Sequence, residues 1–332
     1  MRLPSFDVIE PKTIKEALQI MADPPGTLKV MAGGTELVSL MKLRLVTPQF
    51  VLSTRRIGAL AGIEEKKKEI VIGAGTTLLE IAESPLIGER FKAAAEAASQ
   101  VAAYAVQARA TVGGNLLQGT RCLFYNQSEL PRKGLPACHK AGGNVCSAVP
   151  GSKKCLSAYQ GDMAPALISL GAMAHLKSIK ESRKIPVAEL YTGNGKNPLA
   201  LASGELLTHL SIPLPQGVYG SSYEKIRMRK ALDYPLASAA AFVSLKEGGV
   251  VDVLRVVIGA AGSAPILLSE ESALYKGVHL GEKEIGEISA RAFKAARVVE
   301  NGPLPGAYRR KMVQVAASRA LKAALLDCSR KG

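Results

Sequence analysis

The chain of 332 residues is 47% apolar, enough to form two or three folded domains with their own cores. Its formal charge of +15 suits an anionic partner, but the basic residues are scattered, tryptophan is absent and aromatic residues make up only 5%, which disfavours a nucleic-acid-binding protein. No stretch resembles a secretory signal, and the longest apolar run is about half a membrane span. The sequence therefore predicts a soluble cytoplasmic protein that does not bind membranes.

The first part of the chain is typical of an α+β unit. Residues 13–22 predict a short helix opened by Thr13, with Glu16 in the register of a capping box. LKVMAGGTEL predicts a strand and a glycine turn, FVLST a strand, and EIVIGAGTTLLEIAES a strand, a glycine-rich turn and a helix. Residues 86–106 predict one long alanine-rich helix that runs into a second Gly-Gly turn in ARATVGGNLL.

The second part begins after a cysteine-rich loop. MAPALISLGAMAHLKS predicts a helix and a strand, and GELLTHLSIPLP another strand. Residues 222–262 predict a helix or strand and then a β-hairpin that turns at Gly248-Gly249, and two amphipathic helices follow at 284–300 and 307–327. We expect domain boundaries near residues 57 and 220. These boundaries give domains of 1–57, 58–219 and 220–332.

Three glycine turns are candidates for a phosphate-binding site. VIGAGTTL resembles the start of a dinucleotide-binding fingerprint, but Leu78 stands at the third glycine position, so a structural turn is the better interpretation. MAGGTEL follows a strand and offers consecutive backbone amides with no Cβ on two of its residues, the pattern of an anion-binding nest. TVGGN repeats the pattern. The last two turns together predict a site for the two phosphates of one dinucleotide.

Four motifs in order carry a resemblance to a known family. AGGTEL at 32–37, TVGGN at 111–115, GDMAPALISLGA at 161–172 and YEKIRMRKALDYPLASAAA at 223–241 together resemble the FAD-binding medium subunit of the molybdenum hydroxylase (xanthine oxidase) family. The resemblance covers nearly the whole chain. It implies an α+β protein with a vanillyl-alcohol-oxidase-like (PCMH-like) FAD-binding fold of two subdomains, followed by a C-terminal CO-dehydrogenase-flavoprotein-like α+β domain.

The resemblance also implies a set of cofactor-binding residues. The two glycine turns would hold the pyrophosphate of FAD, and the strand before the first turn would line the approach. Asp162 matches an acidic residue that binds flavin hydroxyls, with a helix N-cap as the alternative, and Lys225 matches a basic residue beside the flavin, with a solvated lysine as the alternative. The sequence departs from the family pattern at Tyr234-Pro235. The remaining residues of the predicted set are Lys29, Val30, Met31, Ala32, Gly33, Gly34, Thr35, Glu36, Thr111, Gly113, Gly114 and Asn115.

Four of the five cysteines lie in one segment that is rich in Gly, Pro, Ser and Lys. Their spacing is C-x15-C-x7-C-x8-C, without the close pairs typical of structural zinc. In a reducing compartment this pattern leaves three interpretations open: an iron–sulfur cluster, zinc, or unligated and disulfide-bonded cysteines. His139 is adjacent to one cysteine but is not needed as a ligand, and Cys328 is expected to be a thiol with no ligand role. The four cysteines are Cys122, Cys138, Cys146 and Cys155.

Within the family, the medium (beta) subunit of 4-hydroxybenzoyl-CoA reductase resembles this chain most, because its loop at this position binds a 4Fe–4S cluster through four cysteines. The resemblance implies a 4Fe–4S-binding loop at 120–160. It also implies electron flow from ferredoxin through the cluster and FAD to 2Fe–2S centres on a small subunit and molybdenum on a large one, in a dimer of heterotrimers, for reductive dehydroxylation. One alternative is a xanthine- or aldehyde-type hydroxylase with outward electron flow. Another is a zinc-stabilised nucleic-acid-binding or scaffold protein.

Two further expectations concern the loop and the chemistry of the chain. Five loop cations either interact only with solvent or dock an acidic electron carrier such as ferredoxin. No acid–base or nucleophilic constellation is visible, so we expect an electron-transfer subunit without catalytic residues of its own. The five cations are Arg132, Lys133, Lys140, Lys153 and Lys154.

Overall fold

The structure is a computed structural model that describes residues 2–230 and 232–331. Its described residues form three β-sheets, which follow one another along most of the chain. Two large hydrophobic cores lie beneath the second and third sheets, and a smaller one lies beneath the first. None of the described helices is both long and apolar enough to cross a membrane.

The first sheet is small and wholly parallel. Its strands are ordered β1-β3-β2. The first helix begins after Thr13, whose side chain accepts a hydrogen bond from the amide of Glu16 at 3.1 Å, so the predicted cap is confirmed. The elements are β1 (Asp7–Ile9), α1 (Ile14–Ala22), β2 (Leu28–Met31), α2 (Leu37–Lys42) and β3 (Phe50–Ser53).

The second sheet is antiparallel and has the strand order β4-β5-β8-β6-β7. Seven α-helices lie along the chain between the strand that ends at Gly73 and the strand that begins at Met173, and the alanine-rich ones pack in the largest core. The elements are β4 (Ile63–Glu65), β5 (Glu69–Gly73), α3 (Leu78–Glu83), α4 (Pro85–Arg90), α5 (Lys92–Ser99), α6 (Tyr104–Gln107), α7 (Val112–Leu116), α8 (Glu129–Lys133), α9 (Met163–Ser169), β6 (Met173–Lys177), β7 (Ser182–Pro186) and β8 (Leu206–Pro213).

The prediction of one long helix over 86–106 is wrong. The segment forms three short helices, because Phe91 adopts φ −137° and ψ 65° and Ala102 adopts φ 47°, and neither conformation continues a helix. Phe91 is fully buried, so core packing of its ring outweighs the helical propensity of the alanines around it. The break at Ala102 brings residues 101, 102 and 106 to the wall of the cleft described below.

The third sheet is antiparallel, with the order β12-β11-β10-β9, and the long last helix packs across it. The predicted hairpin is confirmed: Gly248 and Gly249 have φ values of 81° and 75° between two nine-residue strands. The elements are β9 (Val218–Ile226), β10 (Ala237–Leu245), β11 (Val251–Gly259), β12 (Ile266–Leu267), α10 (Glu271–Leu274), α11 (Glu282–Ala295) and α12 (Gly306–Lys331).

Candidate cofactor-binding site

A cleft of about 860 Å³ contains most of the predicted cofactor-binding residues. Its walls come from β2 and the turn after it, from the start of α7, from the start of α9, and from the loop between β9 and β10. Thirteen of the fourteen predicted residues line it, and Lys225 does not. The volume is within the range of about 300–1,000 Å³ typical of ligand sites.

The first Gly-Gly turn has the features of an anion-binding nest. Gly34 has φ 74°, and the first glycine packs so tightly that a Cβ on Gly33 would lie 1.9 Å from the carbonyl oxygen of Arg109. Within residues 2–230 and 232–331, no hydrogen bond uses the amides of Gly33, Gly34 or Thr35 as donors. These three amides therefore remain available to phosphate oxygens in the cleft.

The second Gly-Gly turn is built differently. Its amides are already bonded inside the protein: Gly113 donates to the Ala74 carbonyl at 2.9 Å, and Gly114 to the Thr111 hydroxyl at 3.1 Å. Asn115 donates its amide to the Thr111 carbonyl at 2.9 Å, and its side-chain oxygen accepts from the amide of Met163 at 3.1 Å. The turn is thus the capped start of α7, and it fixes the cleft wall to the start of α9.

Glu36 joins three parts of the chain at the edge of the cleft. It stands just before α2, its carboxylate pairs with Arg121 at 3.4 Å, and the guanidinium of Arg121 lies 4.2 Å from the ring centroid of Tyr234. Burial raises the pKa of Glu36, while Arg121 and then Lys140 oppose the shift. Tyr234, where the sequence departs from the family pattern, is therefore an aromatic residue of the cleft wall, and its ring contacts the guanidinium of Arg121.

Asp162 is buried at the start of α9 and does not cap that helix. Its carboxylate instead accepts hydrogen bonds from the hydroxyl of Tyr223 at 2.5 Å and from Nζ of Lys225 at 3.0 Å. Burial raises the pKa of Asp162, and Lys225, followed by Tyr223, opposes the shift. The capping alternative for Asp162 and the solvated alternative for Lys225 are therefore both excluded, and Lys225 lies behind Asp162 rather than in the cleft lining.

The four loop cysteines all line one small cavity of about 20 Å³. Cys155 is buried and the other three are half-buried, and none of the four forms a disulfide. His139 also borders the cavity, where its Nε2 lies 3.0 Å from the Ser152 carbonyl oxygen. Cys328 is not near this cavity. It is buried in the core beneath the third sheet, with its Sγ 3.7 Å from the carbonyl oxygen of Val243.

The described residues do not form a preformed site for a single metal ion. Among the described residues, no group of three or more His, Cys, Asp or Glu side chains is close enough to hold one. Tetrahedral zinc, with Zn–S bonds of about 2.3 Å, would draw its four sulfurs to about 3.8 Å from one another. A cuboidal cluster holds its thiolates farther apart, because four irons and four sulfides lie between them. Burial raises the pKa of the Cys122 thiol, and the nearby backbone amides of Phe124 and Tyr125 oppose that shift.

The cysteine loop is tied to the cleft at both of its ends. Gly119 lines the cleft and Cys122, three residues later, lines the cysteine cavity, so their Cα atoms are at most about 10 Å apart. At the other end, Cys155 lines the cavity and Gln160 lines the cleft. The two spaces are thus close neighbours in the fold.

The cationic side chains of the cysteine loop differ in their exposure to solvent. Lys140 points inward, with Nζ 2.5 Å from the carbonyl and 2.8 Å from the hydroxyl oxygen of Thr120, and 5.1 Å from the ring centroid of Tyr125. Lys153 and Lys154 are exposed at the surface. The expectation that all the loop cations face solvent or a partner is therefore wrong for Lys140.

Sequence reasoning missed several residues that shape the site. Tyr223 carried a usable signal, because it lies two residues before Lys225 on a strand and therefore faces the same side. Arg121 carried no such signal, since its partners Glu36 and Tyr234 are each 85 or more residues away in the sequence.

Two protein-family models match the sequence of this chain. Residues 4–215 match the family described as the FAD binding domain in molybdopterin dehydrogenase, and residues 221–324 match the CO dehydrogenase flavoprotein C-terminal domain. The predicted α+β fold, an FAD-binding domain followed by a CO-dehydrogenase-flavoprotein-like domain, is therefore confirmed.

Individual relatives align over most of the chain. It is 27% identical over 320 residues to the carbon monoxide dehydrogenase medium chain of Afipia carboxidovorans, covering 96% of each chain. It is 31% identical over 258 residues to the aldehyde oxidoreductase FAD-binding subunit PaoB of Escherichia coli, covering 73% of this chain and 76% of the relative. The structure of reconstituted CO dehydrogenase from Oligotropha carboxidovorans has a TM-score of 0.81 at 26% identity, covering 98% of this chain and 100% of that chain.

Proposed function

This chain belongs to the FAD-binding subunits of the molybdenum hydroxylase family, and we propose that it is the electron-transfer subunit of a complex of the 4-hydroxybenzoyl-CoA reductase type. In this proposal the cleft holds FAD and the cysteine loop holds a 4Fe–4S cluster. Electrons enter from reduced ferredoxin and leave toward 2Fe–2S and molybdenum centres on a small and a large partner subunit. The reaction served is reductive dehydroxylation of an aromatic thioester on the large subunit, in an anaerobic pathway of aromatic degradation.

The observation that carries the proposal is the position of the four cysteines. All of them line one cavity, and the chain enters and leaves that cavity through residues that line the cleft. FAD supplies exchange of electrons singly or in pairs, which makes it a converter between one-electron centres. A cluster at this place would be an entry point for electrons beside the flavin.

The chain's own residues bind and orient the cofactors and carry out no substrate chemistry. We assign the pyrophosphate to the free amides of Gly33, Gly34 and Thr35, with Thr111 and Asn115 of the second Gly-Gly turn also lining the cleft. We also assign the domain boundaries near 57 and 220, since each of the three ranges contains most or all of one sheet. The family match leaves no support for the zinc-stabilised nucleic-acid-binding or scaffold alternative.

Cofactor analysis of the anaerobically purified protein tests the proposal. We expect one FAD and about four irons per chain, with the electron paramagnetic resonance signal of a 4Fe–4S cluster after reduction. A flavoprotein without iron would overturn the cysteine-loop assignment and leave the family membership intact. Zinc in place of iron would overturn it in the same way.

The second candidate is a hydroxylase of the aldehyde type with outward electron flow, and the likeness to the aldehyde oxidoreductase subunit favours it. The two candidates differ in the order of reduction potentials. Input from ferredoxin requires a cluster potential well below that of the flavin. A titration that finds the cluster at or above the flavin potential would favour the second candidate and contradict the first.

A further inference from the structure

Two residues of β9 reach across from the third sheet to the carboxylate at the cleft. Tyr223 and Lys225 are two positions apart, so their side chains leave the strand on the same face. Asp162 receives one hydrogen bond on each oxygen, at 2.5 Å from the hydroxyl and at 3.0 Å from the ammonium. The side chains of Lys225 and Asp162 are 0% and 5% exposed, so the ion pair is sealed from solvent.

Lys225 also holds a second wall of the cleft. Its Nζ donates to the carbonyl of Gln100 at 2.9 Å, immediately before Val101 and Ala102, which line the cleft. A single ammonium therefore fixes Asp162 on one wall relative to the end of α5 on another.

We propose that Lys225 and Tyr223 are positioning residues that keep Asp162 ionised and oriented, so that its unused lone pairs accept hydrogen bonds from hydroxyl groups of FAD. This inference rests on the proposed function only in placing FAD in the cleft. It departs from the direct flavin contact that the family resemblance implies for Lys225, because the lysine acts through the carboxylate.

The physical reason is the cost of a buried carboxylate. An ionised carboxylate has about four acceptor positions, of which two are used here, whereas a protonated carboxyl group donates a hydrogen bond and accepts fewer. Burial raises the pKa of Asp162 and so favours the protonated form, and the adjacent ammonium opposes that shift. Removing the ammonium should convert Asp162 from acceptor to donor below some pH and weaken its bonds to a hydroxyl-bearing ligand.

The other groups that face Asp162 are few. Arg227, immediately after the end of β9, adds positive charge, and Tyr234 in the loop before β10 is close enough to Asp162 for the two to interact. Burial and the proximity of Asp162 raise the pKa of the Tyr223 phenol well above its ordinary value, so it remains a donor throughout the neutral range. Among the described residues, the main counter-charge to Asp162 is therefore Lys225.

The test measures FAD affinity of the deflavinated full chain between pH 6 and pH 9 by flavin fluorescence. We expect a flat profile for the unmodified protein. For Lys225→Met we expect at least tenfold weaker binding at pH 6 than at pH 9. Lys225→Arg keeps the charge and should keep the flat profile. Glu224→Gln is the matched control, because Glu224 lies on the opposite face of the strand and pairs with Arg319 at the surface at 3.2 Å.

Each outcome bears on the proposal. A flat profile for Lys225→Met, or an equally pH-dependent profile for Lys225→Arg, overturns it, since a merely structural role predicts a uniform loss at every pH. If Lys225→Met does not fold, Tyr223→Phe removes one donor and keeps the ion pair, and a profile identical to that of the unmodified protein overturns the inference. If the unmodified protein fails to bind FAD at all, the proposed function itself is wrong.

Discussion

Replacing Gly33 by alanine should separate the two glycine turns. A Cβ at this position would lie 1.9 Å from the carbonyl oxygen of Arg109, 2.6 Å from its carbonyl carbon and 2.9 Å from Cα of Ala110. All three atoms belong to backbone, so no side chain can rotate away to make room. The turns must move apart by about 1.5 Å before the closest contact reaches the 3.4 Å of ordinary packing.

The size of the effect follows from the cost of overpacking. One inserted methyl group in a tight backbone contact typically destabilises by about 1–3 kcal/mol. If that cost falls on the bound conformation of the nest, FAD affinity drops by about 5- to 150-fold, because every 1.4 kcal/mol corresponds to about tenfold. If it falls on folding, the Tm of a chain of 332 residues drops by about 1–4 °C.

The assay is FAD titration of the deflavinated protein together with a thermal melt of the same sample. Gly88→Ala is the control, because Gly88 lies within α4 and its added Cβ meets no atom within 4 Å. We expect Gly88→Ala to keep its FAD affinity and to gain slightly in stability. Unchanged affinity and Tm for Gly33→Ala would refute the close packing of the two turns.

Three other substitutions test separate parts of the structure. Cys138→Ser should lose the iron–sulfur absorbance and keep most of the FAD, and loss of both cofactors would mean that the loop organises the flavin cleft. Arg309→Met should lower the Tm by about 5 °C or more, because the buried guanidinium donates to Asn301 at 3.1 Å and to the Ala260 carbonyl at 3.2 Å, and an unchanged Tm would show these bonds to be weak. The pKa of His175 is lowered to about 4, first by burial and then by His209. Unfolding therefore takes up a proton between pH of about 6.5 and 4, and stability falls as the pH drops through that window. His175→Gln should reduce this loss in acid melts, and an equal loss would assign it to other groups.

The sequence correctly predicted those structural features that depend on residues close together in the chain. The cap at Thr13 and the hairpin at Gly248-Gly249 depend on residues only a few positions apart, and both are confirmed. The single helix over 86–106 is wrong because the sequence pattern shows alanine propensity but not the burial of the Phe91 ring in the core. Helix propensity is a weak preference that tertiary packing overrides.

In the candidate site too, local motifs were predictable from the sequence and contacts between distant residues were not. Each Gly-Gly turn was visible as a motif, but the sequence could not show that the amides of one are free while those of the other are already bonded to Ala74 and Thr111. The spacing of the four cysteines indicated a shared site, and the structure brings them to one cavity. The inward position of Lys140 depends on Thr120, twenty residues earlier, and no local pattern encodes that contact.

The neck of the cysteine loop is the point at which the loop joins the part of the chain that forms the cleft. Arg121 and Ala158 pair in an antiparallel bridge, with hydrogen bonds of 2.7 and 2.8 Å, so the chain leaves the fold and returns to it at one point. Asn301 of the C-terminal domain holds this neck: its carbonyl accepts a hydrogen bond from the amide of Leu123 at 3.0 Å, and its side chain donates to the carbonyl of Leu156 at 2.8 Å. Because Arg309 donates a hydrogen bond to Asn301, the C-terminal domain stabilises the loop as well as Asp162. The loop can therefore vary between the neck residues while the cleft walls stay fixed, which is why we expect Cys138→Ser to separate the two cofactors.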